Sequence, residues 1–139
     1  NYFDKYEGVK KYMDCVIEDA RQKGYVETMF ARRRTIAEIN SSNFMVRSAG
    51  ERMVRNTPIQ GSAADIIKLA MVKVYNRLKA EGLEAKLLLQ VHDELIVEAP
   101  DNEVEKVKAL LAEEMESAVS LNVALKAEAK SGKSWYEAK

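Results

Sequence analysis

The sequence has little that would crosslink the chain or anchor it in a membrane. It contains one cysteine, one histidine and two prolines, and no apolar run near the roughly 18 residues of a membrane span. Cys15 has no partner for an intrachain disulfide, so we expect a reducing, cytoplasmic compartment and no catalytic thiol. Residues 1–6 carry neither an initiator methionine nor a signal pattern, and we expect a piece cut from a longer protein.

The net charge is zero, but the charges are unevenly distributed. Residues 1–60 carry 11 Lys and Arg against 8 Asp and Glu, whereas residues 61–139 carry 11 against 14. Six arginines and no lysine lie between Arg32 and Arg55. Arginine suits bidentate recognition of phosphate or of base edges, although a solvated charged face is the alternative interpretation. The length of 139 residues is that of one globular domain with its own core.

The spacing of apolar residues predicts four helices and five short strands. The strands are two hairpins, 25–30 with 32–36 and 87–91 with 95–97, and a half-buried antiparallel strand over 123–130, where apolar and charged residues alternate. This order indicates an α+β fold, a small antiparallel sheet backed by helices. The predicted helices cover about residues 4–23, 44–56, 62–81 and 104–118, with Asp4 and Ser62 as caps and Gly24 and Gly82 as stops.

Pro58 interrupts the helical pattern between the second and third predicted helices. It disfavours a helical conformation at Thr57, so we expect a break or kink there. Arg52 and Asn56 are one helical turn apart and share a face, whereas spacing alone does not fix the direction of Gln60. From the residues alone, helix capping around Pro58 explains Asn56 and Gln60 somewhat better than ligand contact does.

His92, Asp93 and Glu94 interrupt an apolar run that reads as two strands. Three titratable residues between strands predict a tight connection with a carboxylate facing outward. An ordinary polar turn that meets water is the alternative, and the turn itself does not decide between them.

Several segments resemble the family A DNA polymerases, the bacterial DNA polymerase I type. The resemblance is carried by RMVRNTPIQGSAADIIK at residues 52–68 and VHDEL at 91–95, with GYVET at 24–28 and the arginines at 32–34 in the same order. It covers essentially the whole chain. Phe30-Ala31 stands where the family often has a glycine before the arginine cluster.

The resemblance implies one C-terminal fragment over residues 1–139 of a DNA-directed DNA polymerase. About residues 1–45 would be the end of the fingers, and about 46–139 part of the palm. The family's other metal-binding aspartate and the Lys and Arg that grip the triphosphate have no counterpart here, so the isolated chain is expected to be inactive. The partners implied are template-primer DNA and deoxynucleoside triphosphates, with no membrane and with self-association of the fragment as a hazard.

The resemblance also assigns roles to individual residues. Asp93 would be one of two aspartates that hold two Mg²⁺ ions, and Glu94 a weaker ligand. His92 would position the primer 3′ end rather than bind metal. Residues of the arginine-rich region would contact DNA: Arg52, Asn56 and Gln60 in the minor groove, and Arg32, Arg33, Arg34, Arg47 and Arg55 at phosphates. A non-catalytic nucleic-acid-binding module that kept the fold is the alternative function.

Overall fold

The first helix follows from an apolar stripe that ends at a glycine. In the computed structural model, which describes residues 5–138, helix α1 spans Glu7–Lys23 and buries Ile17 and Ala20. Gly24 ends it in the left-handed conformation, with φ of +76°, and donates its N–H to the Ala20 carbonyl at 2.8 Å. The predicted glycine stop is confirmed, whereas the predicted cap, Asp4, lies outside the described residues.

A short hairpin follows α1, as predicted. Strands β1 (Tyr25–Glu27) and β2 (Arg33–Thr35) pair antiparallel, with Glu27 opposite Arg33. The connecting residues, 28–32, form a turn in which the Ala31 N–H donates to the Thr28 carbonyl at 3.0 Å. Ala31 has a positive φ of 60°, the conformation in which this kind of hairpin loop prefers glycine.

Helix α2 (Phe44–Asn56) begins where the sequence predicts it, after a 3₁₀ turn over Ala37–Asn40. Asn43 caps it, because its side-chain oxygen accepts the N–H groups of Met45 at 2.9 Å and Val46 at 3.4 Å. Gly50 lies against the 3₁₀ turn, where an added Cβ would stand 2.9 Å from the Ile39 nitrogen. The helix therefore needs a residue without a side chain at this position.

Pro58 does not break the helical backbone. Residues Thr57–Gly61 form a π-helical turn, and Thr57 itself has helical angles of −60° and −43°. The prediction for Thr57 was wrong because the backbone forms a π turn here. This turn is one residue longer than an α turn, and it accommodates Pro58, which has no N–H to donate, without unwinding the chain. The Thr57 hydroxyl also donates to the Met53 carbonyl at 2.8 Å. The expected irregularity is present, but as a widened turn.

Helix α3 (Ser62–Ala80) continues from this turn, and its start corrects the predicted capping box. Ser62 has helical angles, and its hydroxyl donates to the Pro58 carbonyl and accepts the Met29 N–H. Since no free helix end exists here, Ser62 has no N-cap role. At the other end, Gly82 is left-handed with φ of +63°, and its N–H donates to the Lys79 carbonyl at 3.1 Å. The predicted stop is confirmed.

The second hairpin contains the stretch that the sequence marked as functional. Strands β3 (Lys86–Val91) and β4 (Glu94–Glu98) pair antiparallel. The register shifts by one residue between Leu87 and Leu89, so Leu88 forms a bulge. Bulges increase strand twist and re-aim neighbouring side chains.

Helix α4 (Val104–Glu116) packs with part of α3 against one face of this hairpin. Its most buried residues are Leu110, at 2% exposure, and Val107, at 4%. Arg77 on α3 bonds to two α4 carboxylates, Glu113 at 2.7 Å and Glu114 at 2.8 Å. The helices are thus joined by both apolar and ionic contacts.

The predicted strand over residues 123–130 is wrong. The alternation of burial is present, since Leu125, Ala127 and Ala129 are half-buried and the charged residues between them are exposed. No strand forms over these residues, however, and the Ala127 N–H is taken by the Glu116 carboxylate at 3.1 Å. A strand requires a neighbouring edge that pairs its backbone groups, which a period of two does not supply.

The chain divides into two compact units with their boundary between Ala63 and Ala64, each with its own core. The helices and two small antiparallel sheets confirm the α+β class. None of the described helices combines the length and apolar character that crossing a bilayer requires. The first core consists of Ile17, Ala20, Val26, Ile36, Ile39 and Val54, and the second of Val74, Leu78, Ala85, Val107 and Leu110.

Candidate functional site

His92 and Asp93 form the whole two-residue connection between β3 and β4. Val91 and Glu94 are the last paired residues, and His92, Asp93 and Glu94 are all exposed. His92 has a positive φ of 53°, which is uncommon for a residue with a side chain. Its carbonyl accepts a hydrogen bond from the Gln90 side chain. A carboxylate and an imidazole are therefore displayed together at the tip of a tight hairpin.

The hairpin is held from one side, which fixes how its tip is presented. Leu95 and Val97 on β4 pack against the second core. Because side chains alternate along a strand, Glu94 and Ile96 point to the opposite face. Glu94 therefore stands on the face that the helices leave uncovered, directly after the Asp93 turn.

The chemistry of this tip fits a hard divalent cation, but only as part of a site. Carboxylate oxygens are the ligands that Mg²⁺ prefers, and Asp93 and Glu94 supply them side by side. Across the described residues, no group of three or more His, Cys, Asp or Glu is arranged to hold a metal ion. The pair therefore suits a metal whose remaining ligands come from elsewhere.

Arg52, Asn56 and Gln60 are all exposed on the first unit. Asn56 has helical angles and makes no capping bond, so the capping alternative is wrong for that residue. The π turn that follows Asn56 is longer than an α turn, so a spacing of four returns Gln60 close to the same direction. Arg52 donates to the Ser48 hydroxyl at 3.3 Å.

The remaining arginines are tied to the protein to different degrees. Arg33 bonds to Glu27 at 2.8 Å, which raises the pKa of Arg33, and stacks 4.6 Å from the Tyr25 ring centre. Arg55 lies 3.8 Å from Glu51. The other three contact neutral groups: Arg47 bonds to the Ser41 carbonyl at 2.8 Å, Arg34 to the Met53 sulfur at 3.5 Å, and Arg32 to the Gly61 carbonyl at 3.2 Å.

A cluster of buried polar residues is the feature that sequence reasoning missed. Thr28, Thr57 and Ser62 are 5%, 5% and 7% exposed and meet at the π turn. Thr28 and Ser62 are far apart in the chain, and neither hydrophobic period nor motif links them. Only the folded backbone brings them together.

The comparisons with known proteins cover nearly the whole chain. Residues 1–137 match the sequence profile of DNA polymerase family A. The chain belongs to this family. Membership implies dependence on a divalent metal ion, and the predicted resemblance is confirmed.

Individual relatives of this family are closely similar. The DNA polymerase I of Bacillus caldotenax is 56% identical over 138 residues, and that of Bacillus subtilis is 54% identical; each match covers 99% of this chain. The chain spans only 16% of the length of each relative. A solved structure, the POL domain of Pol1 from M. smegmatis in complex with DNA primer-template and dNTP, shares 46% identity with a TM-score of 0.94, over 99% of this chain and 24% of that one.

Proposed function

We propose that this chain is the part of a DNA-directed DNA polymerase that supplies one catalytic carboxylate and several template-primer contacts. The observation that carries the proposal is the exposed His92-Asp93 turn on a hairpin held by the second core. Family membership over residues 1–137 supports it. The larger protein would bind template-primer DNA and deoxynucleoside triphosphates and act in the cytoplasm.

The proposed reaction is in-line attack of a primer 3′-hydroxyl on the α-phosphorus of a nucleoside triphosphate, with pyrophosphate leaving. Bound Mg²⁺ would stabilise the attacking and leaving oxygens. Asp93 would hold the metal, and Glu94 would support it from the uncovered face of the hairpin. A second aspartate from another part of the protein would complete the clamp.

His92 would position the primer end as a hydrogen-bond donor to its sugar or phosphate. Its side chain is exposed beside Asp93, and imidazole is a poor ligand for Mg²⁺. We therefore assign it a positioning role next to the metal.

Arg52, Asn56 and Gln60 would contact the minor groove at the growing end of the duplex. Every correct base pair presents acceptors at similar minor-groove positions, so donors there detect mispairs without reading sequence. Asn56 and Gln60 are exposed amides on consecutive turns, which suits this task. Arg33, Arg34, Arg47 and Arg55 are proposed phosphate contacts, whereas Arg32 bonds to the Gly61 carbonyl. The proposed limits of fingers and palm remain about residues 1–45 and 46–139.

The test is substitution of Asp93 in the full-length protein that contains this chain. Asp93→Ala is expected to lower the single-turnover rate of nucleotide addition at least about a thousandfold, because several kcal/mol of metal-borne stabilisation are lost. The matched control is Asp101→Ala, which removes an exposed turn carboxylate of the same unit and should leave the rate unchanged. Wild-type addition by Asp93→Ala would remove the catalytic role. DNA binding without any primer extension by the wild type would favour the non-catalytic binding module.

A further inference from the structure

We infer that the tip of the β1–β2 hairpin, residues 28–32, positions the π-helical turn, residues 57–61, and through it the Gln60 amide. Thr28, Arg32 and Ser62 would be positioning residues for the minor-groove contact. The inference rests on the proposed function, because the minor-groove role of Gln60 is part of that proposal. It replaces the predicted phosphate role of Arg32 with a contact inside the protein.

Three hydrogen bonds tie the hairpin tip to the turn. The Met29 N–H donates to the Ser62 hydroxyl at 2.9 Å, and that hydroxyl donates to the Pro58 carbonyl. The Arg32 guanidinium donates to the Gly61 carbonyl at 3.2 Å. These bonds reach carbonyls on both sides of Gln60, so they restrain the backbone that carries its side chain.

The tip is itself made rigid by Thr28. The Thr28 hydroxyl oxygen accepts the N–H groups of Phe30 and Arg32, both at 3.3 Å. Its backbone N–H donates to the Arg32 carbonyl at 3.0 Å. A β-branched side chain held in this way has little freedom to rotate, because rotation would release both bonds.

The approach of the two elements leaves no room for a side chain at Gly61. A Cβ built on Gly61 would stand 2.8 Å from the Thr28 methyl carbon, and the next atoms are at ordinary contact distances of 3.5 and 3.6 Å. The clash thus involves one methyl group. Thr28→Ser removes that methyl and keeps the hydroxyl, which makes a compensating pair available.

The burial of polar side chains indicates that the junction between the hairpin tip and the π turn has one preferred geometry. In the part of the chain that the structure describes, the buried polar residues are Thr28, Thr57 and Ser62, and all three lie here. Buried polar groups with satisfied bonds favour one geometry over many, because any alternative leaves them unpaired. Exposed Gln60 therefore projects from a backbone with one preferred conformation.

The experiment measures extension of matched and mispaired primer ends by the full-length protein that contains this chain. Gly61→Ala is expected to lower the ratio of matched to mispaired extension rates about tenfold, since small misplacements have effects of this size or larger. Thr28→Ser alone should keep the ratio. The double variant with both changes should return it to within about threefold of wild type. Failure of the double variant to recover, when Gly61→Ala is impaired, overturns the inference.

Controls separate positioning from general destabilisation. Ile17→Ala removes a buried side chain from the core of the same unit, on α1, which carries none of the proposed DNA contacts. It should lower stability and leave the mispair ratio unchanged; an equal loss of ratio in Ile17→Ala and Gly61→Ala overturns the inference. Should Gly61→Ala not fold, Ser62→Ala and Ser62→Thr provide the same comparison, because only threonine keeps the bridging hydroxyl. Recovery of the ratio by threonine supports positioning, and equal ratios in the two variants contradict it.

The two proposals fail in different ways. If Gln60→Ala lowers the mispair ratio and Gly61→Ala does not, the positioning role is wrong and the minor-groove role stands. If Gln60→Ala leaves the ratio at the wild-type value, the proposed DNA contact is wrong, and the positioning role is overturned with it.

Discussion

His92 occupies a conformation that glycine would adopt more easily. A side chain at positive φ costs about 1 kcal/mol relative to glycine, although histidine tolerates it better than most residues. Its φ is 53°, and it stands immediately before Asp93 at the hairpin tip. Outliers of this kind concentrate at functional sites, where the surrounding structure holds the strained residue in place. The imidazole thus stands at a position where backbone conformation alone would favour glycine.

Substitution of His92 separates these two effects. We expect His92→Gly to stabilise the β3–β4 hairpin by about 1 kcal/mol relative to His92→Ala, which keeps the strain. Both variants should slow nucleotide addition equally, because both lack the imidazole. Hydrogen exchange of hairpin amides and single-turnover kinetics in the full-length protein measure the two quantities. A wild-type rate for His92→Gly would argue against any role of the imidazole.

Ala31 also has a positive φ, but its side chain has no proposed function. Its φ of 60° closes the turn of residues 28–32. We expect Ala31→Gly to stabilise this hairpin by about 0.5–1 kcal/mol, the relief of a left-handed alanine less the greater unfolded-state freedom of glycine. Hydrogen exchange of β1 and β2 amides provides the measurement. As control, Ala37→Gly, at a position without a positive φ, should not stabilise the protein, and a lower stability for Ala31→Gly would contradict the expected relief of strain.

Among the elements, those with a strong local signal are the ones that the sequence predicts well. The start of α2 follows from Asn43, whose side chain caps the helix, and the end of α1 follows from Gly24. The predicted hairpin around Asp93 also follows from local pattern, since two apolar runs flank a polar turn. Its pairing and the bulge at Leu88 required the folded backbone.

The sequence-based predictions of secondary structure are wrong where contacts with residues distant in the chain decide the local conformation. Pro58 was expected to end helical structure at Thr57, but a π turn accommodates it while Ser62 bonds to the distant Met29. Leu125 lies in an alternating segment that lacks a strand partner among residues 5–138. For the site, sequence resemblance named Asp93 and Gln60, whereas the bonds that support Gln60 come from residues about thirty positions away.

The contact between α3 and α4 carries the clearest electrostatic signal. Arg77 bonds to Glu81 at 2.8 Å and to two carboxylates on α4, and Lys106 of α4 lies 2.9 Å from Glu81. The hydrogen bond from Arg77, with a second from Lys106, holds the pKa of Glu81 below its ordinary value of 4.5. Glu81 is therefore the carboxylate that links both helices through two cations.

This shift predicts how the helix pair responds to acid. Because the folded-state pKa of Glu81 is lowered, its contribution is present above pH 4.5 and disappears as pH falls through the folded value. Glu81→Gln should increase hydrogen exchange in α3 and α4 at neutral pH, and the difference from wild type should vanish below that range. Glu105→Gln is the control, since Glu105 is 86% exposed and pairs only within α4 at 3.4 Å. A difference for Glu81→Gln that persists in acid would contradict the assignment.

At the scale of the whole molecule, several large apolar side chains are not covered by any of residues 5–138. Leu69, Val72 and Tyr75 follow one another at spacings of three on α3 and are 40%, 58% and 48% exposed. On β3, Leu88 and Leu89 are 53% and 43% exposed. Exposed apolar surface of this kind indicates contact with other protein. The chain spans 16% of the length of the relatives it matches, so a protein of their length would have residues to provide such contact.

The isolated 139-residue chain is therefore expected to self-associate. It is not expected to synthesise DNA. The exposed apolar residues of α3 and β3 in one copy would pack against those of another copy. Within residues 5–138, Asp93 and Glu94 supply only part of a metal site. Light scattering should give a mass above the monomer's 15.7 kDa, and primer extension with Mg²⁺ should yield no template-dependent product. The full-length protein, assayed in parallel, is the positive control. Replacing Val72 and Tyr75 by lysine and glutamate should return the mass toward the monomer without restoring synthesis, because the missing carboxylate is not supplied. Template-dependent synthesis by the isolated chain would show that its own residues complete the active site.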